Sequence, residues 1–212
     1  MKYMIGDLLL IQKGIIAHQT NLYGVMGAGI ASYLSKQYPL LESAYSDYCF
    51  DGLAKLGDVF SFPVNGFRYD FKLGAFKPDP NTELIIANCF SQKKVCLKCA
   101  EGKNISKGIP VMDSKIEPLT EYNALKTCFD IIYLNNPTAT LYVPFLYGCG
   151  IAGGDWEIVK KIFEKYPGNL IVVCRPADLQ KYVQDCYIAH KDPNLISEIE
   201  TIYATAEDLR YE

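Results

Sequence analysis

The run Gly14–Pro39, GIIAHQTNLYGVMGAGIASYLSKQYP, decides the reading of this chain. Its apolar opening, Gly14-Ile15-Ile16-Ala17, has the character of the end of a buried strand, and a polar quartet, His18-Gln19-Thr20-Asn21, follows. Gly24, Gly27 and Gly29 then lead into a helical repeat of Met26, Ile30, Leu34 and Tyr38, stopped by Pro39. A strand that feeds a glycine-rich turn and a helix N-terminus is an anion site. Backbone N–H groups point outward there, the helix dipole adds partial positive charge, and missing Cβ atoms let a phosphate approach the backbone. The pattern predicts a phosphate-cradling loop with His18 at its lip.

The 212 residues are 50% apolar, enough to bury the core of one domain. A net charge of −3 supplies no general attraction to nucleic acid or to an acidic membrane. The apolar patch before Gly14 is interrupted by Asp7 and followed by no small-residue cleavage site, so it reads as a strand rather than a signal peptide. No apolar run approaches the roughly 20 residues of a membrane-spanning helix. Eight cysteines without an export signal point to reduced thiols and a cytoplasmic location.

Periodicity predicts strands over Lys2–Leu10, Ile15–His18, Gly57–Phe62, Glu83–Phe90, Thr140–Pro144 and Asn169–Cys174. Helices are predicted after the first glycine turn, over Leu41–Tyr48 and Leu119–Leu134, from Trp156 onward with Asp155 as N-cap, and over Leu179–Tyr187. Residues 63–82 read as a long loop or hairpin, and 92–117 as a lysine-bearing insert. A second glycine-rich turn, Tyr147-Gly148-Cys149-Gly150-Ile151-Ala152-Gly153-Gly154, follows the Thr140–Pro144 strand. The tail, 191–212, carries Leu195, Ile199, Ile202, Ala206 and Leu209 at helical spacing and is expected to pack back on the 1–190 domain. Alternating strands and helices with two glycine-rich turns at strand ends mean an α/β sheet that binds its ligand over the carboxyl ends of the strands.

His18 is a side chain that can titrate near neutral pH, and with a carboxylate such as Asp155 it could supply the base and proton donor of a hydrolysis. Cys96 and Cys99 form a single CxxC pair, short of the four ligands of a structural zinc, so no metal is expected. The lysines of 93–115 are those of a solvated loop or, in the sharper alternative, of a basic lid over an anionic substrate.

Several motifs taken together resemble a macro domain, an ADP-ribose-binding α/β/α fold, closest to the branch of ADP-ribose 1''-phosphate phosphatases and terminal ADP-ribose glycohydrolases. They are Gly6-Asp7, Asn21, Gly27-Ala28-Gly29-Ile30-Ala31, Tyr38-Pro39, Gly57-Asp58-Val59, Asn88-Cys89-Phe90-Ser91-Gln92, Pro144, Gly148-Cys149-Gly150 and Gly154-Asp155-Trp156, over about residues 1–176. The resemblance implies a three-layer fold with a mixed central sheet and a helical extension at the C-terminus. It implies that Asp7, with Leu8, receives the adenine amino group and that Gly27, Ala28, Gly29 and Ile30 hold one side of the diphosphate and the distal ribose. Tyr147, Gly148, Cys149, Gly150 and Ile151 would clamp the other side, Asn21 would face the distal ribose, and His18 with Asp155 would act in a phosphatase. Glycohydrolases of this branch use a lysine and an aspartate, where this chain has Lys93 or Lys94 and Ala152.

Three functions are therefore expected in competition: removal of the 1''-phosphate from ADP-ribose 1''-phosphate, removal of ADP-ribose from protein or nucleic acid, and binding of ADP-ribose or a related NAD-derived nucleotide without turnover. None needs a cofactor, and the expected partner is the small-molecule ligand; nucleic acid would enter only as an ADP-ribosylated substrate.

Overall fold

The structure, a computed structural model, describes residues 1–70, 75–96, 111–112, 117–166, 168–181 and 207–208. Strand β1 (Lys2–Ile5) ends early because Asp7 takes the cap of a short 3-10 turn, Leu8–Leu10, its carboxylate accepting from the Leu9 N–H at 3.0 Å. Strand β2 (Lys13–Asn21) runs longer than its apolar core, carrying the whole polar quartet within the sheet. Helices α1 (Gly29–Gln37) and α2 (Pro39–Phe50) follow. Pro39 ends the first and opens the second, where a fixed φ and a missing N–H cost nothing.

Strands β3 (Val59–Asp70) and β4 (Ala75–Gln92) form a long antiparallel hairpin, so the segment expected as loop or hairpin is mostly strand. At the base of the insert, β5 (Val95–Cys96) pairs in parallel with β6 (Val111–Met112). Helix α3 (Tyr122–Asn135), strand β7 (Leu141–Pro144), helix α4 (Trp156–Phe163) and strand β8 (Leu170–Cys174) complete the alternation, and residues 176–181 are helical. Cys99, most of the insert and most of the expected helix beyond Lys181 lie outside the described residues. Of the tail, the described pair is β9 (Glu207–Asp208), a strand where the spacing predicts helix. It adds in parallel to Met4–Ile5, meeting the N–H and C=O groups that an edge strand leaves unpaired.

Among the described residues the main sheet has the order β3-β4-β2-β7-β8-β1-β9; β3 pairs antiparallel with β4 and the other neighbours pair in parallel. Successive side chains of β2 turn to opposite layers. Ile15 and Ala17 join Leu125, Phe129, Trp156, Val159 and Phe163 under α3 and α4. Ile16 joins Leu34, Tyr38, Leu41 and Tyr45 under α1 and α2. This is the expected three-layer α/β/α arrangement with a mixed sheet. Among the described residues, no helix is long and apolar enough to cross a membrane.

Candidate functional site

β2 and β7 are parallel neighbours, paired at Ile15–Leu141 and Ile16–Tyr142. The chain leaves β2 toward α1 on one face and leaves β7 toward α4 on the other. A crevice opens at the carboxyl ends of two strands whose connections part in this way. Both glycine-rich turns border it.

Asn21 shapes the first turn. Its Oδ1 accepts from the N–H groups of Tyr23 (2.9 Å) and Val25 (3.3 Å), and its Nδ2 donates to the Val25 carbonyl at 2.7 Å. The Tyr45 hydroxyl donates to the Asn21 carbonyl, and Ser46 Oγ donates to the Gly24 carbonyl at 2.8 Å. Ala28, in extended conformation, is the N-cap of α1 and has no side-chain oxygen to offer. The first-turn N–H groups beyond it are left for an external acceptor. Gly29 opens the helix exposed and at φ 58°, a left-handed value that favours glycine. Gly27 and Ile30 flank it, half-buried.

His18 is corrected from its expected place at the lip. Because β2 continues to Asn21, the alternation turns His18 into the core, fully buried. Its Nε2 meets Asn88 Oδ1 at 2.9 Å, and Asn88 Nδ2 donates to the Phe60 carbonyl at 3.0 Å, so the Asn88 amide is oriented to accept from an Nε2–H imidazole. Its Nδ1 has no hydrogen-bond partner of acceptable geometry among the described residues. Burial lowers the His18 pKa to about 4, so the ring is neutral at pH 7.

The second turn leaves β7 through Phe145, whose N–H bonds the Val173 carbonyl at 2.9 Å, and Leu146, a non-glycine residue at φ 57°. Backbone of this kind persists only where its surroundings hold it. Tyr147, expected as a clamp, is 1% exposed, and its ring sits edge-on to Phe129 and Phe163, 5.9 and 5.5 Å away. Only its backbone is available to the crevice. The Cys149 N–H closes a turn on the Leu146 carbonyl at 2.9 Å. Burial, with a smaller contribution from the Asp155 charge, pushes the Cys149 thiol up to about 12, which removes it as a nucleophile near neutral pH. Gly150 and Ile151 are exposed at the tip. Asp155 is exposed and caps α4, its Oδ1 accepting from the Glu157 N–H at 2.9 Å.

At the other end of the crevice, the Gly6 N–H bonds the Cys174 carbonyl at 3.0 Å, which places Asp7 beside the end of β8. Leu8 is in the core, 4% exposed. Arg175, the next residue after β8, is held by Asp178 through two hydrogen bonds of 2.7 and 3.0 Å and lies 5.7 Å from the centre of the Tyr33 ring. Neither Arg175 nor Tyr33 stood out in the sequence. The signal available was a cation directly after the last apolar strand. The polar cluster of Gln19, Ser91 and Thr120 behind the second turn was missed too, because its members are far apart in sequence. Lys93 pairs with Glu121 at 2.6 Å and Lys94 with Glu117 at 3.5 Å. Among the described residues, no group of three or more His, Cys, Asp or Glu could hold a metal ion.

No protein-family model matches the chain. The macrodomain of Mycobacterium tuberculosis DarG superposes with a TM-score of 0.53 at 22% identity, over 82% of this chain and 96% of that one. The fold is that of a macrodomain. Thermosipho africanus DarTG in complex with ADP-ribose matches this macrodomain fold at a TM-score of 0.55 and 19% identity, over 82% of this chain and 42% of that one. By sequence, an uncharacterised 17.5 kDa protein of Enterobacteria phage T4, from its tk-vs intergenic region, is 29% identical over 182 residues, 82% of this chain and 94% of its own. The ADP-ribose 1''-phosphate phosphatase of Candida albicans is 35% identical over 65 residues, 28% of this chain and 42% of the phosphatase.

Proposed function

We propose that this protein binds ADP-ribose across the crevice between β2 and β7. The observation that carries the proposal is the pair of glycine-rich turns leaving neighbouring parallel strands toward opposite faces. They offer backbone donors and a helix N-terminus to both sides of a diphosphate. The macrodomain fold shared with a protein seen in complex with ADP-ribose supports the same ligand. With a net charge of −3, attraction for the anion is local, from oriented N–H groups, rather than from the protein as a whole. Asp7 commits one hydrogen bond to Leu9, and a carboxylate has capacity for about four, so it can still accept from an adenine amino group. Calorimetric titration with ADP-ribose tests this: saturable one-to-one binding is expected, and no heat up to millimolar ligand would reject it.

A second reading, removal of the phosphate from ADP-ribose 1''-phosphate, is favoured by the partial likeness to the Candida phosphatase. Water would attack phosphorus, the bond from phosphorus to the sugar oxygen would break, and that oxygen would take a proton. His18 is too deeply buried to touch the substrate, which leaves the exposed Asp155 carboxylate at the rim as the group to activate water. Phosphate release by wild type, lost in Asp155→Asn, is the expected result; equal release by both would remove Asp155 from the chemistry. Lysine-based removal of ADP-ribosyl groups has less support, since Lys93 and Lys94 each already face a carboxylate.

A further inference from the structure

We infer that Thr120, supported by Gln19, is the positioning residue of the second glycine-rich turn. It holds the turn's backbone donors in place without touching the ligand. What the turn holds rests on the ADP-ribose reading; how the turn is held does not.

Register is the starting point. The pairing of β2 with β4 shifts after Thr20, so that Asn21 faces Gln92 and Ser91 falls outside the ladder. Such a bulge leaves a residue unpaired and its groups open to other partners. The Ser91 carbonyl accepts from Gln19 Nε2 at 3.0 Å and from the Glu121 N–H at 2.8 Å. The need for a donor toward that carbonyl orients the Gln19 amide. The same Nε2 lies 3.1 Å from Thr120 Oγ1 and donates to it, which directs the single Thr120 hydroxyl proton to the Gly148 carbonyl at 2.8 Å. That carbonyl also accepts the Gly154 N–H at 2.9 Å, so one oxygen ties together the two limbs of the turn.

The fit is close on every side. Gly148 is at φ 68°, and a Cβ there would lie 2.9 Å from Gln19 Oε1 and 3.0 Å from Thr120 Oγ1. A Cβ at Gly154 would lie 2.7 Å from the Gly148 carbonyl oxygen and 3.0 Å from Thr120 Oγ1. Thr120 itself is 4% exposed and bracketed by backbone bonds, Leu119 N–H to the Ala152 carbonyl and Glu121 N–H to the Ser91 carbonyl, both 2.8 Å. Three consecutive residues thus strap the second turn to the end of β4. The strap's acidic neighbours, Glu117 and Glu121, are those paired with Lys94 and Lys93 at the base of the insert. Leu146, in its left-handed conformation two residues before Gly148, is the backbone that such a strap must over-determine.

The test uses the full chain with Thr120→Val, Thr120→Ser, Gln19→Leu and the Thr120→Val/Gln19→Leu double variant. The readouts are ADP-ribose affinity by calorimetry, amide exchange over Cys149–Gly154, and global stability in urea. Thr120→Val keeps the shape, removes the donor and leaves the half-buried Gly148 carbonyl with the Gly154 N–H but without its hydroxyl partner. It is expected to weaken ADP-ribose binding about five- to tenfold and to speed exchange at the Gly154 amide by a similar factor. Thr120→Ser keeps the hydroxyl and should hold both within about twofold of wild type. Adding Gln19→Leu to Thr120→Val should cost little more than Thr120→Val alone, because both act through one chain of hydrogen bonds. Wild-type exchange and affinity in Thr120→Val, or the same losses in Thr120→Ser, would overturn the assignment. If wild type fails to bind ADP-ribose, that ligand reading falls by itself and the exchange data still decide the positioning role.

Discussion

Replacing His18 with Gln should flatten the acid side of the stability profile. In the folded chain the imidazole titrates at about 4 instead of its ordinary 6.5, because burial penalises the charged ring more than the Asn88 hydrogen bond supports it. The folded state therefore binds this proton more weakly than the unfolded chain does. Stability from this group is complete above pH 6.5 and is lost as the pH falls through the window from 6.5 to about 4. At about 1.4 kcal/mol per pH unit, the full window is worth about 3 kcal/mol, most of it lost by pH 4.5. Urea unfolding of wild type and His18→Gln at pH 7.5 and pH 4.5 gives the difference directly, because the carboxylate contributions common to both cancel. Wild type should lose about 2–3 kcal/mol more than the variant. The variant should show the shallower slope whatever its stability at pH 7.5. Parallel losses in the two proteins would refute a buried, neutral His18 and return it to the solvent side of the first turn.

Other substitutions separate the crevice from the scaffold. Gly148→Ala forces a left-handed alanine against Gln19 and Thr120 and should lower stability by roughly 1–2 kcal/mol while weakening ADP-ribose binding; an unchanged Tm would contradict the packing described. Gly14→Ala places its Cβ 2.6 Å from the Thr140 carbonyl oxygen, at φ 101° and away from both turns, so Tm should fall with ADP-ribose affinity intact in the folded protein. Asp155→Ala removes the cap of α4 at a cost of about 1 kcal/mol, read by urea unfolding, whereas Asp155→Asn should retain most of it. Lys93→Ala/Lys94→Ala should leave ADP-ribose affinity unchanged; a marked loss would bring the base of the insert into the site.

Most of the fold was legible because its signals are local. Apolar runs such as Glu83–Phe90 and Asn169–Cys174 read as strands, and Asp155 ahead of an apolar repeat read as a helix cap. Strand ends were harder. Gln19–Asn21, beyond the expected strand Ile15–His18, are polar, but the hydrogen bonds of His18–Asn21 to β4, to Thr120 and to the turn that follows make a polar strand affordable within the sheet. With the strand carried on to Asn21, His18 is an interior strand residue in the core and not the last one at the lip. The burial of the Tyr147 ring was not legible for a related reason: Phe129 and Phe163, which cover it, come from distant helices. The strap through Thr120 depends on residues 19, 91, 120 and 148, and no sequence periodicity joins those positions.

The most direct test of the central claim is a titration of ADP-ribose into isotopically labelled protein, followed by backbone amide shifts. Saturable changes are expected at Gly29–Ala31 and at Cys149–Gly150, on both sides of the crevice, with Gly14 and Ala139 at the opposite end of the sheet unmoved. An absence of saturable change at millimolar ligand, or changes confined to residues outside the two turns, would contradict it.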